Sequence, residues 1–169
     1  MPAGRSLWVP TYVGVGSNLG DPVARVRAAF EALAGIADTQ LVATSRLYRT
    51  APFGPVAQGD FINAVAGLLT QLDAAALLAQ LRTIETAAGR VREQRWGPRT
   101  LDLDLLVFGD ARIDTPELTV PHPGIAERVF VLEPLHDLAP TLDIPGVGRV
   151  ETLRGRLGDG GILEIIAAA

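Results

Sequence analysis

Between Arg99 and Phe108 the chain reads RTLDLDLLVF, a segment that leaves little freedom in how it can fold. As a β-strand it places Leu101, Leu103, Leu105 and Val107 on one face and Asp102 and Asp104 on the other. The two carboxylates then point the same way, with Cα atoms about 6–7 Å apart at strand rise. Flanking Leu, Val and Phe mark the strand as largely buried, where a charge without partners is costly. A solvated D-x-D face paired with Arg99 is the plainer reading of this motif in isolation. Its surroundings favour a different one. Oxygen ligands in this arrangement suit hard divalent cations, Mg²⁺ above all when a phosphate chain supplies the remaining oxygens. Just upstream, GRVREQRWGPR carries Arg90, Arg92, Arg95 and Arg99 against Glu93 alone. Guanidinium forks beside paired carboxylates suit polyphosphate chemistry. His122 and Arg128 follow downstream.

Composition narrows the classes. At 169 residues and 48% hydrophobic, the chain is expected to fold as a single well-packed domain spanning residues 1–169. It contains no Cys, which removes disulfides and thiolate metal sites. Its two histidines, His122 and His136, make a multi-His zinc site implausible. No apolar run approaches a membrane span, and the opening MPAGRSLWVPTYVGVG lacks a leader pattern. A soluble cytoplasmic protein with no membrane partner is expected. The net charge of −4 argues against broad phosphate neutralisation, hence against nucleic acid as a partner. All 15 cationic residues are Arg, and five of them lie between Arg82 and Arg99. The positive charge is local, which favours a pocket for a small anion.

Along the chain, Leu7–Gly16 reads as a strand whose Pro10 implies an irregular or edge position. Asp21 is suited to cap a helix over Pro22–Ala34, with Val23, Val26, Phe30 and Leu33 on one stripe and Gly35 ending it. Gln40–Thr50 alternates as one half-buried strand, with Leu41, Ala43, Ser45 and Leu47 on one face. Ala51–Gly59 is a Pro/Gly-rich loop, and Asp60–Thr70 a third strand. Asp73 caps a second helix to Ala88 that turns Leu77, Leu81, Ile84 and Ala88 inward. With the Asp102/Asp104 strand, the order is βαββαβ. That is the ferredoxin-like α+β (α/β) pattern, an antiparallel sheet with helices on one face. A C-terminal extension follows: a hairpin over Arg112–Val120, a helix over Val129–Leu138 and a strand pair over Thr141–Val150. The apolar tail GGILEIIAAA is compatible with docking or with a subunit contact.

The segments YVGVGSNLGDP, TSRLYRTAPFGP, DFINAV, GRVREQRWGPRTLDLDLLVFG and LTVPHPGIAERVFVLEPL, in that order, resemble the 6-hydroxymethyl-7,8-dihydropterin pyrophosphokinase family of the folate pathway. RWGPRTLDLD followed by VPH is the most specific part. The resemblance covers about Tyr12 to Pro140 and implies the same ferredoxin-like fold. It also implies transfer of the terminal diphosphate of ATP to the pterin hydroxymethyl group, with AMP released and two Mg²⁺ as cofactor. On that resemblance Asp102 and Asp104 are the metal carboxylates. Arg90 and Arg92 belong to a loop that closes over ATP, Arg99 contacts phosphate at its foot, and Trp96 seals the closed site. His122 and Arg128 are further phosphate contacts, Glu85 lies near the ribose, and Leu105 and Thr119 lie near adenine. Phe61 and Phe130 match the pair that stacks on the pterin, and Asn63 the amide that reads its edge. Thr50, Ala51, Phe53 and Gly54 match the first pterin-site loop. The resemblance also implies small-molecule partners, ATP and the pterin, and a monomer is expected. Departures are Pro123 where Tyr is common, Glu117 where Arg is common, and an Arg loop one residue short.

Without the resemblance, Glu85 reads as an exposed helix polar residue, and Phe61 and Phe130 read equally well as core packing or as rings that stack on a ligand. Asn63 stands apart, because an amide amid an apolar strand needs partners. Two rival functions weigh less. Gly14-x-Gly16-x-x-x-Gly20 after a strand suggests a dinucleotide-binding oxidoreductase, but its spacing departs from the fingerprint and no acidic residue ends a second parallel strand. A ferredoxin-like module that reads single-stranded RNA needs a basic sheet face with paired aromatics, where Asp102 and Asp104 place negative charge.

Overall fold

The computed structural model describes residues 7–52, 54–55, 58–89 and 101–167. β1 (Val9–Ser17) leads into α1 (Pro22–Ala34), whose first turn is closed by Asp21, its carboxylate accepting the Ala24 N–H at 3.2 Å. β2 (Thr39–Thr44), β3 (Leu47–Thr50) and β4 (Phe61–Thr70) precede α2 (Ala74–Ala87), capped in the same way by Asp73 on the Ala76 N–H. β5 (Asp102–Phe108) completes the βαββαβ core. The extension holds the hairpin β6 (Ile113–Asp114) and β7 (Thr119–Val120), a 3₁₀ turn at Ile125–Glu127 and α3 (Val129–Leu138). The strand pair β8 (Asp143–Ile144) and β9 (Gly148–Arg149), α4 (Val150–Gly155) and β10 (Ile162–Ile166) follow.

The main sheet runs β10-β3-β4-β1-β5, with β2 also on β4, and its pairings are antiparallel. Apolar residues at helical spacing (Val26, Ala29, Phe30 and Leu33 on α1; Leu77 and Leu81 on α2) bury against one face with Val13, Val15, Leu103 and Leu105. On the opposite face Val65 and Leu106 pack with Val131, Leu132 and Leu135 of α3 and with Val150 and Leu153 of α4. The extension therefore adds a layer, and helices cover both faces. No helix among the described residues is long and apolar enough to cross a membrane.

β1 lies between β4 and β5, but its first part, Val9 and Pro10, is in register with β4 alone and precedes Thr11, where pairing with β5 begins, so the edge-like start expected from Pro10 is present. Other local expectations change. The segment 40–50 is two strands. Ser45 donates its N–H to Val65 O (2.9 Å) and accepts the Val65 N–H on its hydroxyl (2.8 Å), so a side chain replaces part of the ladder and the chain steps sideways. Ala43, expected on the inward face, is exposed as a result, next to an irregularity between Leu41 and Ala43. A register shift between Tyr12 and Val13 on β1 also moves Val107 to the α3 side, away from Leu101, Leu103 and Leu105. The tail docks within its own chain, as β10 on β3.

Candidate active site

Residues opposite one another on neighbouring strands share a face, so the register places the site. Tyr48 pairs with Asn63, Asn63 with Gly16, and Gly16 with Asp102, forming one row across β3, β4, β1 and β5. In the adjacent row Val65, Gly14 and Asp104 align. Val65 belongs to the α3-side cluster, so both aspartates face that side, half-buried. Thr50 and Phe61 form a third row. The carboxylate pair and the candidate pterin residues Thr50, Phe61 and Asn63 thus occupy one sheet face.

Gly14 and Gly16 belong to strand β1 and form no phosphate loop. A Cβ on Gly16 would lie 2.8 Å from Asn63 Oδ1, and one on Gly14 3.4 Å from a Leu106 methyl. Their bare backbone lets these neighbours lie flat across the sheet. The Asn63 amide therefore spans from Thr50, whose Oγ1 accepts its Nδ2–H at 2.8 Å, to the surface of Gly16 beside Asp102.

His122 approaches β5 from the loop after β7. Its N–H donates to Leu106 O at 2.9 Å, and its Nδ1 accepts the Gly124 N–H at 3.2 Å. A ring nitrogen that accepts a backbone N–H carries no proton, so the neutral ring bears its proton on Nε2. Burial lowers the His122 pKa, the nearby Arg128 charge lowers it further, and Asp102 opposes both. His122 is therefore a neutral donor near the aspartates. Arg128 lies 5.9 Å over the Phe130 ring and passes against Gly124, where a Cβ would stand 2.6 Å from its Nε. Phe130 opens α3, so one guanidinium adjoins both the histidine loop and the candidate stacking ring.

Glu85, the expected exposed helix residue, is 2% exposed. Its Oε2 accepts the Leu103 N–H at 2.9 Å and its Oε1 accepts from Arg82 at 3.1 Å. Leu105 is buried beneath the helices, so any contact with a base would use its backbone, while Thr119 is exposed on β7. The Ala51 N–H donates to Gly161 O at 2.8 Å, beside Ile162 paired with Thr50. Gly54 is exposed, with a positive φ of 106°. Phe53, Arg90, Arg92, Arg95, Trp96 and Arg99 lie outside the described residues. A separate groove between α1 and α2, lined by Ala24, Ala28, Ala32, Thr83, Ala87 and Leu101 among others, does not include the aspartates.

A network that the sequence did not single out ties α3 to the sheet. Asp137 accepts the Tyr48 hydroxyl at 2.7 Å and is gripped by Arg46 through its side chain (2.9 and 3.2 Å) and its N–H (3.1 Å). Burial would raise the Asp137 pKa, but the hydrogen bonds from Arg46 and Tyr48 outweigh it and the net shift is downward.

Among the described residues no cluster of three or more His, Cys, Asp or Glu side chains could hold a metal ion. Asp102 and Asp104 form an oxygen-only, two-residue set. Such a set fits Mg²⁺, which is held by one or two carboxylates together with substrate phosphates and water.

A family model described as 7,8-dihydro-6-hydroxymethylpterin-pyrophosphokinase matches residues 12–140. The chain is 51% identical over 134 residues to a Pseudomonas aeruginosa 2-amino-4-hydroxy-6-hydroxymethyldihydropteridine pyrophosphokinase, covering 79% of this chain and 83% of that one. It is 44% identical over 137 residues to the Haemophilus influenzae protein of the same name, covering 81% and 86%. In shape it is similar to a crystal structure of Plasmodium falciparum HPPK-DHPS (TM-score 0.72, 13% identity). That alignment covers 91% of this chain but only 46% of the other, so this chain spans about half the length of that protein.

Proposed function

The chain belongs to the 7,8-dihydro-6-hydroxymethylpterin-pyrophosphokinase family, and from that premise we propose that it transfers diphosphate from ATP to 6-hydroxymethyl-7,8-dihydropterin. The hydroxymethyl oxygen attacks the β-phosphorus, the bond to the bridging α–β oxygen breaks, AMP departs, and the hydroxyl proton is lost. The observation that supports this reading is the row Asn63–Gly16–Asp102. At ordinary strand spacing it sets the pterin-reading amide about 10 Å from the carboxylate, so one small substrate can reach both.

Asn63, braced by Thr50, reads the edge of the pterin, and Phe61 and Phe130 hold its faces. Ala51, Phe53 and Gly54 are assigned to the pterin by their match to the family's first pterin-site loop. Asp102 and Asp104 hold two Mg²⁺, which neutralise phosphate oxygens when bound. His122 donates its Nε2–H to phosphate and Arg128 adds a guanidinium fork. Leu105 and Thr119 border the adenine. Arg90, Arg92 and Arg99 complete the phosphate contacts, and Trp96 excludes water from them. The protein acts as a monomer. The test is product identity with ATP, Mg²⁺ and the reduced hydroxymethylpterin. AMP is the expected nucleotide product; ADP would mean simple phosphoryl transfer and would overturn the reading.

A further inference from the structure

Glu85 carries a charge at a position where burial is costly unless every acceptor is used. Its location explains why a carboxylate is kept there. β5 ends the sheet, and among the described residues β1 is its ladder partner. Leu103 stands opposite Val15, flanked by the pairs Asp102–Gly16 and Asp104–Gly14. Ladder bonds alternate along an antiparallel pair. With the Leu103 N–H turned outward to Glu85, the bonded pairs are those of the two aspartates. The backbone of each aspartate is therefore anchored to β1 on the inner edge. Between them the outer edge is held by one charge-assisted bond from α2, a stronger kind than a neutral one. Arg82, on the same helix, braces the far oxygen of that carboxylate.

We propose that Glu85 is a positioning residue that sets the spacing and direction of Asp102 and Asp104 through the Leu103 N–H. The proposal rests on the reading of those aspartates as metal carboxylates. Without Glu85, an outer strand loses its tether midway between the two ligands. Metal affinity should then fall by about 10–100-fold, the range seen when groups supporting metal ligands are removed.

The experiment compares wild type, Glu85→Ala and Glu85→Gln as full chains. It follows the Mg²⁺ dependence of AMP formation, the KM for each substrate, and amide exchange of Leu103 by NMR. In Glu85→Ala the Leu103 amide should exchange faster and half-saturating Mg²⁺ should rise at least tenfold, with the pterin KM within about twofold. Glu85→Gln, whose amide oxygen can still accept the Leu103 N–H, should restore most of both. A Leu103 amide as protected in Glu85→Ala as in wild type would overturn the proposal. So would an unchanged Mg²⁺ dependence with a raised ATP KM in both variants, the mark of direct nucleotide contact. Should Glu85→Ala not fold, Glu85→Gln decides alone: a large loss of Mg²⁺ affinity with Leu103 still protected would overturn the proposal, and retention of both would support it. Asp102→Asn and Asp104→Asn run in parallel. If neither shifts the Mg²⁺ dependence, the metal reading fails, whatever the Leu103 exchange shows.

Discussion

On β5, Leu103 is 1% exposed beneath α1 and α2, while Asp102 and Asp104 on either side of it open half-buried toward α3. The same contrast runs across the sheet. Toward α1 and α2, β1 and β4 present Val13, Val15, Ile62, Ala64 and Ala66; toward α3 they present Gly14, Gly16, Phe61 and Asn63. One face is filled with closely packed apolar side chains. The other is thinned by glycine and furnished with an amide and two carboxylates. A sheet can do both because adjacent residues answer to different neighbours. The filled face supplies the rigidity that the furnished face needs to hold ligand groups in place.

The sharpest way to break this contrast is to substitute neighbours in the two faces. Asp102→Ala should reduce turnover by several orders of magnitude and leave the unfolding midpoint near wild type. Leu33→Ala, on α1 at 0% exposure, should cost about 2–5 kcal/mol of stability while each folded molecule keeps its activity. Parallel denaturant curves and rate measurements check both, and a large stability loss from Asp102→Ala would dissolve the distinction. Smaller, and confined to the furnished face, is Gly16→Ala. The added methyl meets Asn63 Oδ1 at 2.8 Å and must lift the amide off β1. We expect kcat/KM for the pterin to fall about tenfold to a hundredfold with ATP KM unchanged, as steady-state kinetics would show. The smallest effect is at the seam where α3 meets the sheet. Hydrogen bonding holds the Asp137 pKa below its ordinary value. Its contribution to stability is therefore full above the ordinary carboxylate value and lost as pH falls through the lowered one. Asp137→Asn should be less stable than wild type at neutral pH, with the difference vanishing in acid, as thermal unfolding across that range would reveal.

Much of this was legible in the chain because it is written in periodicity and caps. Asp21 and Pro22 marked the start of α1, the alternation of RTLDLDLLVF marked β5, and the Pro/Gly loop separated β3 from β4. Other features were illegible for physical reasons. The break at Ser45 depends on a hydroxyl replacing a ladder bond to Val65, which alternation cannot encode. The turn of Val107 to the α3 side depends on one extra residue, Leu106, where β5 pairs with β1, and strict alternation has no place for it. Glu85 looked exposed because a helical wheel shows which face it occupies and not that an edge N–H waits there. Gly14 and Gly16 were legible as strand residues, but the reason they are glycine was not, because it depends on Asn63 and Leu106, which only pairing brings near.

The tail has a consequence for assembly. β10 binds β3 through residues 115 positions apart, as in the Arg49–Glu164 ion pair, and Gly161 takes the Ala51 N–H beside the candidate pterin residue Thr50. Contacts over such a separation carry a large loop-closure cost and reward it late. Local hairpins and helices can form while β10 is still unpaired, so the candidate pterin residues beside it would be among the last parts of the molecule to mature.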